Sequence, residues 1–130
     1  MLNLQIELFK KSINEVIKDS DEIVVIHSGI WSFIKELNLH PNEVSKTLLS
    51  AIENTVGLNK TIVFPSFTSA EFVKNKKFDI LLSIPKESGI IPTEALNSNK
   101  YIRTLQPLHS YLIKGPKSNE IKYLDLKTSW

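Results

Sequence analysis

Two short apolar segments without a charged residue constrain the fold of this chain more than any other feature. They are "IVVI" at residues 23–26 and "IVF" at residues 62–64, and the turn residues around them indicate strands at 22–27 and 60–64. Between them, apolar residues at helical spacing predict a helix over 41–56 that opens on Pro41 and stops at Gly57. The strand–helix–strand order, with apolar strands, predicts a parallel pair covered on both faces.

The other elements extend this pattern into an α/β fold. An amphipathic helix is predicted over 4–18, a short helix from Pro92, and a third strand over 110–114 that ends at Gly115-Pro116. Residues 29–37 are ambiguous. The predicted architecture is a mostly parallel central sheet flanked by helices, a three-layer sandwich.

Residues 66–91 show little periodicity of either kind, and a stretch of this length between defined elements is typical of a functional or covering loop. Four phenylalanines lie in or beside it, and we expect them to anchor the loop to the core rather than to stack on a ligand: Phe64, Phe67, Phe72 and Phe78.

Composition excludes several classes of function. The 130 residues form one domain, with 42% hydrophobic and 23% charged residues, as in ordinary globular proteins. The net charge of +2 argues against nucleic acid and anionic membranes as partners. There is no cysteine, and no apolar run approaches the roughly 20 residues that cross a bilayer. The N-terminus has no secretion-signal pattern, so a cytoplasmic location is expected.

Two of the three histidines occur in His-Ser pairs beside predicted strands. His27-Ser28, followed by Gly29, comes directly after the first strand, and His109-Ser110 comes directly before the third. Ligands of open α/β sheets bind just beyond strand ends, so both pairs are candidate site residues, although a structural role is the commoner one for a single histidine. His40, before Pro41, is expected on the surface or as a helix cap. No dinucleotide, P-loop or nucleophile-elbow motif occurs, and no histidine pair has metal-ligand spacing, so no metal is expected.

Four blocks, read in chain order, resemble the aminoglycoside 3-N-acetyltransferase family, whose members move an acetyl group from acetyl-CoA to an amine of an amino sugar. The blocks are "VVIHSGIWSF", "VSKTLLSAIENTVGLNKTIVFPSFT", "FDILLSIPKESGIIPTEAL" and "IRTLQPLHSYLIKGP". The resemblance covers residues 22–116. It implies that residues 1–130 form a single α/β domain equivalent to the N-terminal half of the family fold, with 66–91 as a loop bordering the active site.

The resemblance also implies site residues. Acetyl-CoA would be the co-substrate, and its phosphates or pantetheine would lie against cofactor-binding residues at the strand ends: His27, Ser28, Gly29, Ser66, Thr68, Arg103 and Ser110. Arg103 suits a phosphate or carboxylate because of its fork geometry. His109 would be an auxiliary acid or base that orients substrate. The acceptor would be an amine-bearing molecule, an aminoglycoside antibiotic or another amino sugar. A cationic drug would favour an acidic cleft, and four acidic residues lie in the segments expected to border the acceptor: Glu71, Asp79, Glu87 and Glu94.

Two positions depart from the family pattern. Gln106 replaces the first histidine of the His-Pro-x-His-Ser block, and Thr93 replaces a glutamate. Family members are also about twice as long, and their main catalytic histidine lies on a helix of the second half, outside these 130 residues.

Three explanations remain open for the missing half. The chain is part of a longer enzyme, the interpretation we favour, or a short protein that keeps the coenzyme half, or one partner of a pair of chains. The predicted function is acetyl-CoA-dependent N-acetyltransfer to an amino sugar. The alternative is a non-catalytic module that binds CoA or acyl-CoA, and a homodimer is an open arrangement under either.

Overall fold

The computed structural model describes residues 2–30, 34–36, 38–68, 74 and 77–123. Four strands form one sheet in the order β1-β2-β4-β3: β1 (Ile23–Val25), β2 (Thr61–Pro65), β3 (Ile102–Arg103) and β4 (Tyr111–Lys114). The helices are α1 (Leu2–Val16), α2 (Pro41–Val56), α3 (Ile90–Asn97) and α4 (Ser118–Ile121), with a 3₁₀ turn at Lys86–Ser88. The predicted α/β class is confirmed.

The sheet is mixed, whereas the sequence pattern predicted a mostly parallel one. β1 and β2 are parallel as predicted, with Val24 opposite Ile62. β4 is antiparallel to both β2 and β3. The connection from β3 to β4, residues 104–110, is shorter than the dozen or so residues that a parallel crossover needs, so this pair must be antiparallel.

The core lies between one face of the sheet and the helices α2 and α3. Ile62, Phe64 and Leu112 project from the strands and are at most 3% exposed. They pack against one stripe of α2 and against α3, and the buried helical members of this cluster are Val44, Leu48, Leu49, Ile52, Val56, Ile91 and Ala95. α1 packs beside α2 and contributes partly buried side chains such as Phe9 and Ile13.

Helix α2 has the predicted boundaries because its caps are encoded locally. His40 Nδ1 accepts a hydrogen bond from the backbone N–H of Asn42 at 3.3 Å, and Pro41 occupies the first turn. Gly57 closes the helix at a φ of +80°. The expectation that His40 caps a helix is therefore confirmed. α3 starts two residues before Pro92, which a first turn tolerates.

Residues 115–117, directly after β4, lie on the opposite face of the sheet. The backbone N–H of Lys117 donates to Thr61 Oγ1 at 2.8 Å, and Thr61 points away from the α2 side because it precedes Ile62 in the strand. A Cβ on Gly115 would lie 2.6 Å from Thr61 Cα. This close approach requires glycine.

The opposite face, hereafter the second face, is only partly covered. Val25, Val63, Ile113 and Ile102 form one row across the four strands. Val63 and Ile113 in its centre are buried, but Val25 is 53% and Ile102 39% exposed at its ends. The expectation of cover on both faces thus holds for the central strands and not for β1, where Ile23 is also exposed.

Candidate functional site

All the residues predicted for the site lie at one edge of the sheet. β1, β2 and β3 run in the same direction, so the residues after their C-terminal ends share that edge, and antiparallel β4 begins there. This edge carries His27, Ser28 and Gly29 after β1, Ser66 and Thr68 after β2, Arg103 at the end of β3, and His109 and Ser110 before β4. The topology therefore brings together residues that are far apart in sequence.

Ser66 and Ser110 form a buried pair at the centre of this edge, and both are 0% exposed. The Ser110 hydroxyl donates to the Ser66 carbonyl oxygen at 2.8 Å, and the two hydroxyl oxygens are also 2.8 Å apart. The Ser66 backbone N–H donates to the Ser110 carbonyl at 2.8 Å. These hydroxyls stabilise the junction of β2 and β4.

Arg103, the only arginine in the sequence, lies directly against this pair and is 5% exposed. Its Nε donates to Ser110 Oγ at 3.1 Å, and Nη2 donates to the Ser66 carbonyl at 2.9 Å. Nη1 donates to the carbonyls of Ser83 at 2.5 Å and Ile80 at 3.4 Å. The guanidinium therefore binds protein oxygens, which favours a positioning role over the predicted contact with a coenzyme phosphate.

Burial lowers the pKa of Arg103 to about 10, and the negative charge of Asp79 opposes part of that effect. The guanidinium is still protonated at neutral pH. Its carbon lies 5.0 Å from the centre of the Phe78 ring, in cation–π geometry. Because its hydrogen-bond acceptors are neutral, the ring and Asp79 supply the compensation for a buried positive charge.

Residues 78–89, hereafter the bridging segment, connect this network to the end of β1. Asp79 shapes its start, because the carboxylate accepts from the backbone N–H groups of Leu81 at 2.8 Å and Leu82 at 3.0 Å. Farther along, Ser88 Oγ accepts from the backbone N–H of Phe67 at 2.9 Å. Gly89 has a φ of +101°, and a Cβ there would lie 3.6 Å from the Ser28 carbonyl oxygen. The bridging segment thus binds Arg103 and the chain after β2, and it lies beside Ser28 after β1.

Sequence reasoning did not assign roles to Ser83, Ser88 or Gly89. Their contacts are made mostly through backbone atoms or a single hydroxyl, which leave no pattern in one sequence. The only available indication was the resemblance of the "FDILLSIPKESG" stretch to a family block.

Ser28 lies half-buried where the bridging segment meets the end of β1. Its Oγ is buried and, within the described part of the chain, has no hydrogen-bond partner. His27 and Gly29 on either side are exposed, and a Cβ on Gly29 would meet nothing within 4 Å. A buried hydroxyl without a partner is unusual in folded proteins and marks a place where a ligand group or a water could bind.

His109 lies at the rim of the same edge and is exposed. Its ring meets the Phe67 ring edge-on, with centroids 5.0 Å apart. Its backbone N–H donates to Gln106 Oε1, so the residue that replaces a family histidine holds the turn before β4. The exposed ring remains available to a substrate, and its auxiliary role stays a prediction.

Thr68 is buried, 3% exposed, and ties the chain after β2 to this turn. Its Oγ1 donates to the Pro107 carbonyl at 2.5 Å, and its backbone N–H donates to the Leu108 carbonyl at 3.2 Å. Thr68, like Ser66 and Ser110, supports the edge from within. Of the predicted residues, His27, Gly29 and His109 are exposed, and Ser28 is half-buried.

The phenylalanines have the anchoring role expected of them where they are described. Phe64 is 0% exposed in the core, Phe67 packs edge-on against His109 and Tyr111, and Phe78 lies under Arg103. Phe72 lies outside the described residues, as does Glu71 among the four acidic candidates.

Among the remaining acidic residues, the contacts of Asp79 and Glu94 with protein groups are defined. Asp79 holds the turn described above, and Glu94 accepts from Ser45 Oγ at 3.5 Å. Within the described ranges, no three residues among histidines, aspartates and glutamates cluster closely enough to hold a metal ion. No helix there has the length and apolar character needed to cross a membrane.

Sequence comparisons do not extend this picture: no protein-family model matches the chain, and no curated protein matches it in sequence. Solved structures do match it. The apoenzyme of aminoglycoside acetyltransferase AAC(3)-IVa superposes with a TM-score of 0.70 at 20% identity, over 92% of this chain and 43% of that one.

Two ligand complexes of related enzymes match similarly. AAC-VIa bound to sisomicin gives a TM-score of 0.67 at 15% identity, over 92% of this chain and 49% of that one. AAC-IIIb in a binary complex with CoASH gives 0.57 at 17% identity, over 88% and 48%. The chain spans about half the length of the structures it matches. In fold, it corresponds to the N-terminal half of the aminoglycoside 3-N-acetyltransferases.

Proposed function

We propose that this chain is the coenzyme-binding part of an acetyl-CoA-dependent N-acetyltransferase that acts on an amine of an aminoglycoside or another amino sugar. The observation that carries the proposal is the fold match over 88–92% of the chain to enzymes solved with CoASH and with sisomicin. The edge that collects the site residues is also where ligands of α/β sheets bind.

In this proposal, the segment after β1 contacts the coenzyme. The Ser28 hydroxyl has no partner among the described residues and can donate to a carbonyl or phosphate oxygen. Gly29 leaves open space at the surface beside it, so a ligand can approach the backbone closely. His27 is exposed and can hydrogen-bond to the same ligand.

Ser66, Thr68, Arg103 and Ser110 act in this proposal as positioning residues. Each is at most 5% exposed, and their hydrogen bonds join β2, β3, β4 and the bridging segment. Holding the edge rigid fixes the position of a bound thioester, and positioning is a large part of catalysis for a reaction of two bound substrates.

The reaction would be direct attack of a neutral amine on the thioester carbonyl. The C–N bond forms, the C–S bond breaks, and the amine loses a proton as the CoA thiol leaves. His109, exposed at the rim, would orient the acceptor. We expect the main base to come from the half of the fold that this chain does not span.

The proposal is tested by titrating CoA and acetyl-CoA into the 130-residue chain by calorimetry. We expect binding, and we expect Ser28→Leu to abolish it because the larger side chain must displace the segment after β1 around the buried hydroxyl. The matched control is Ser12→Leu, at an exposed position on α1.

Absence of CoA binding to a folded chain would contradict the proposal for this chain alone. Binding without release of thiol from acetyl-CoA, in the presence of an amino sugar, would instead favour the alternative of a CoA-binding module. This alternative is tested because the chain spans only about half the length of the enzymes it matches.

A further inference from the structure

An apolar cavity of about 410 Å³ lies between α1 and the strand β1, away from the buried arginine network. Ile52 and Ile91, both 1% exposed, line its interior. The remaining apolar lining comes from α1 and from the segment around β1, chiefly Phe9, Ile13, Ile17, Val24, Ile26 and Ile30. The cavity is partly open to solvent, and a cleft with a mostly apolar lining and a few polar groups is typical of small-molecule sites.

The polarity of the cavity is uneven. No aspartate, glutamate, lysine or arginine is among the described residues that line it, and its polar lining consists of His27, Ser28 and the backbone of Gly29. These three are consecutive and lie at one end, at the sheet edge. A ligand that matches this distribution has an apolar body and a single polar end.

The buried hydroxyl of Ser28 lies at the junction between the apolar lining and the sheet edge. It lacks a hydrogen-bond partner among the residues that the structure describes. A carbonyl oxygen placed there would accept its hydrogen, while a chain attached to that carbonyl would extend among the isoleucines and valines. The cavity is larger than the engineered site of about 150 Å³ that accommodates benzene, so an aliphatic chain of about eight carbons has room.

We propose that this cavity binds the aliphatic chain of an acyl group, with its carbonyl at Ser28, so that the donor is a medium-chain acyl thioester rather than acetyl-CoA alone. The carrier is CoA only if the proposed function is right. The proposed acyl-chain site itself does not depend on the proposed function, because a free fatty acid presents the same apolar chain and polar end.

Calorimetry with acetyl-CoA, octanoyl-CoA and sodium octanoate tests this on the full chain. We expect octanoyl-CoA to bind at least about tenfold more tightly than acetyl-CoA, since each buried methylene contributes to affinity. Ile13→Phe, on α1, fills the cavity and should remove that advantage while the acetyl-CoA affinity stays within about twofold. Ile6→Phe is the matched control, because it lies two turns earlier on the same helix and does not line the cavity.

The outcomes separate the two proposals. Equal affinities for the two thioesters in the wild type, or an unchanged ratio in a folded Ile13→Phe variant, would overturn the acyl-chain site. If no CoA compound binds but octanoate binds and is lost in Ile13→Phe, the chain site stands and the proposed function fails for this chain. If octanoate also fails to bind, both are overturned. Val24→Phe serves in the same way if Ile13→Phe does not fold.

Discussion

At the scale of single residues, the guanidinium of Arg103 donates to four oxygen atoms that come from three separate segments of the chain. An arginine at a strand end is the residue type most suited to a phosphate, and sequence reasoning assigned it accordingly. Because Arg103 is buried, its guanidinium instead donates to several backbone carbonyls at once.

Replacing Arg103 with methionine should lower the free energy of unfolding by about 3 kcal/mol or more, because buried carbonyls and Ser110 lose their donor. Urea unfolding followed by circular dichroism measures the change. Lys100→Met, an exposed change three residues earlier, should stay within about 0.5 kcal/mol. A methionine variant of normal stability that has lost CoA binding would show instead that the guanidinium contacts the coenzyme.

Tyr101 offers a second test at this scale. Its ring packs on Phe64 with centroids 5.7 Å apart, but its hydroxyl is buried and has no partner within the described ranges. Tyr101→Phe keeps the ring and removes the unsatisfied group, so we expect stability to rise by about 1 kcal/mol. Tyr123→Phe, at an exposed position, should change little.

The variants Tyr101→Phe and Tyr123→Phe also test how the stability of the fold depends on pH. Burial raises the pKa of Tyr101, and the negative charge of Glu53 raises it further. Above a pH of about 10, the unfolded chain releases this proton while the folded chain keeps it, so stability falls as pH rises. Tyr101→Phe should therefore make the loss of stability above pH 10 less steep than in the wild type. Identical slopes would contradict the raised pKa.

At the scale of elements, local patterns predicted α2 and the three longer strands because each has its own boundary residues, such as Pro41 and Gly57. Strand β3 was missed because Ile102–Arg103 is too short to show alternation and exists only by pairing with β4. The shared edge followed from the sequence only for the residues after β1 and β2. A mostly parallel sheet would have placed His109-Ser110, before the third strand, at the opposite edge, and it is antiparallel β4 that brings them to this one. Which residues face outward also did not follow from the sequence. That depends on the bridging segment, whose contacts use mostly backbone atoms.

Gly57 and Gly115, at the ends of α2 and β4, require glycine for different physical reasons. Both have positive φ, but a Cβ would meet nothing within 4 Å at Gly57 and would clash with Thr61 and Lys60 at Gly115. Gly57→Ala should cost about 1 kcal/mol from strain alone. Gly115→Ala should cost at least about 2 kcal/mol more, because β2 or the turn after β4 must shift. Thermal unfolding of the two variants measures the difference, and equal losses would argue against the close approach.

At the scale of the whole molecule, the second face ends in exposed apolar side chains, Val25 and Ile102, on the two outer strands. We expect the isolated chain to bind the dye 8-anilinonaphthalene-1-sulfonate in its folded state, and the double change Val25→Thr and Ile102→Thr to reduce the fluorescence. Leu58→Thr, an exposed apolar position between α2 and β2, is the control. Unchanged fluorescence in the double variant would show that the dye binds elsewhere.

The contacts of Arg103 also have a consequence for the rate at which the fold is lost. They exist only when β2, β3, β4 and the bridging segment are already in place, and these segments are distant in sequence. We expect such contacts to form after the main barrier to folding, so that removing them leaves the folding rate nearly unchanged and accelerates unfolding. Arg103 would then set the lifetime of the native state, and stopped-flow chevrons of Arg103→Met would show the effect in the unfolding limb.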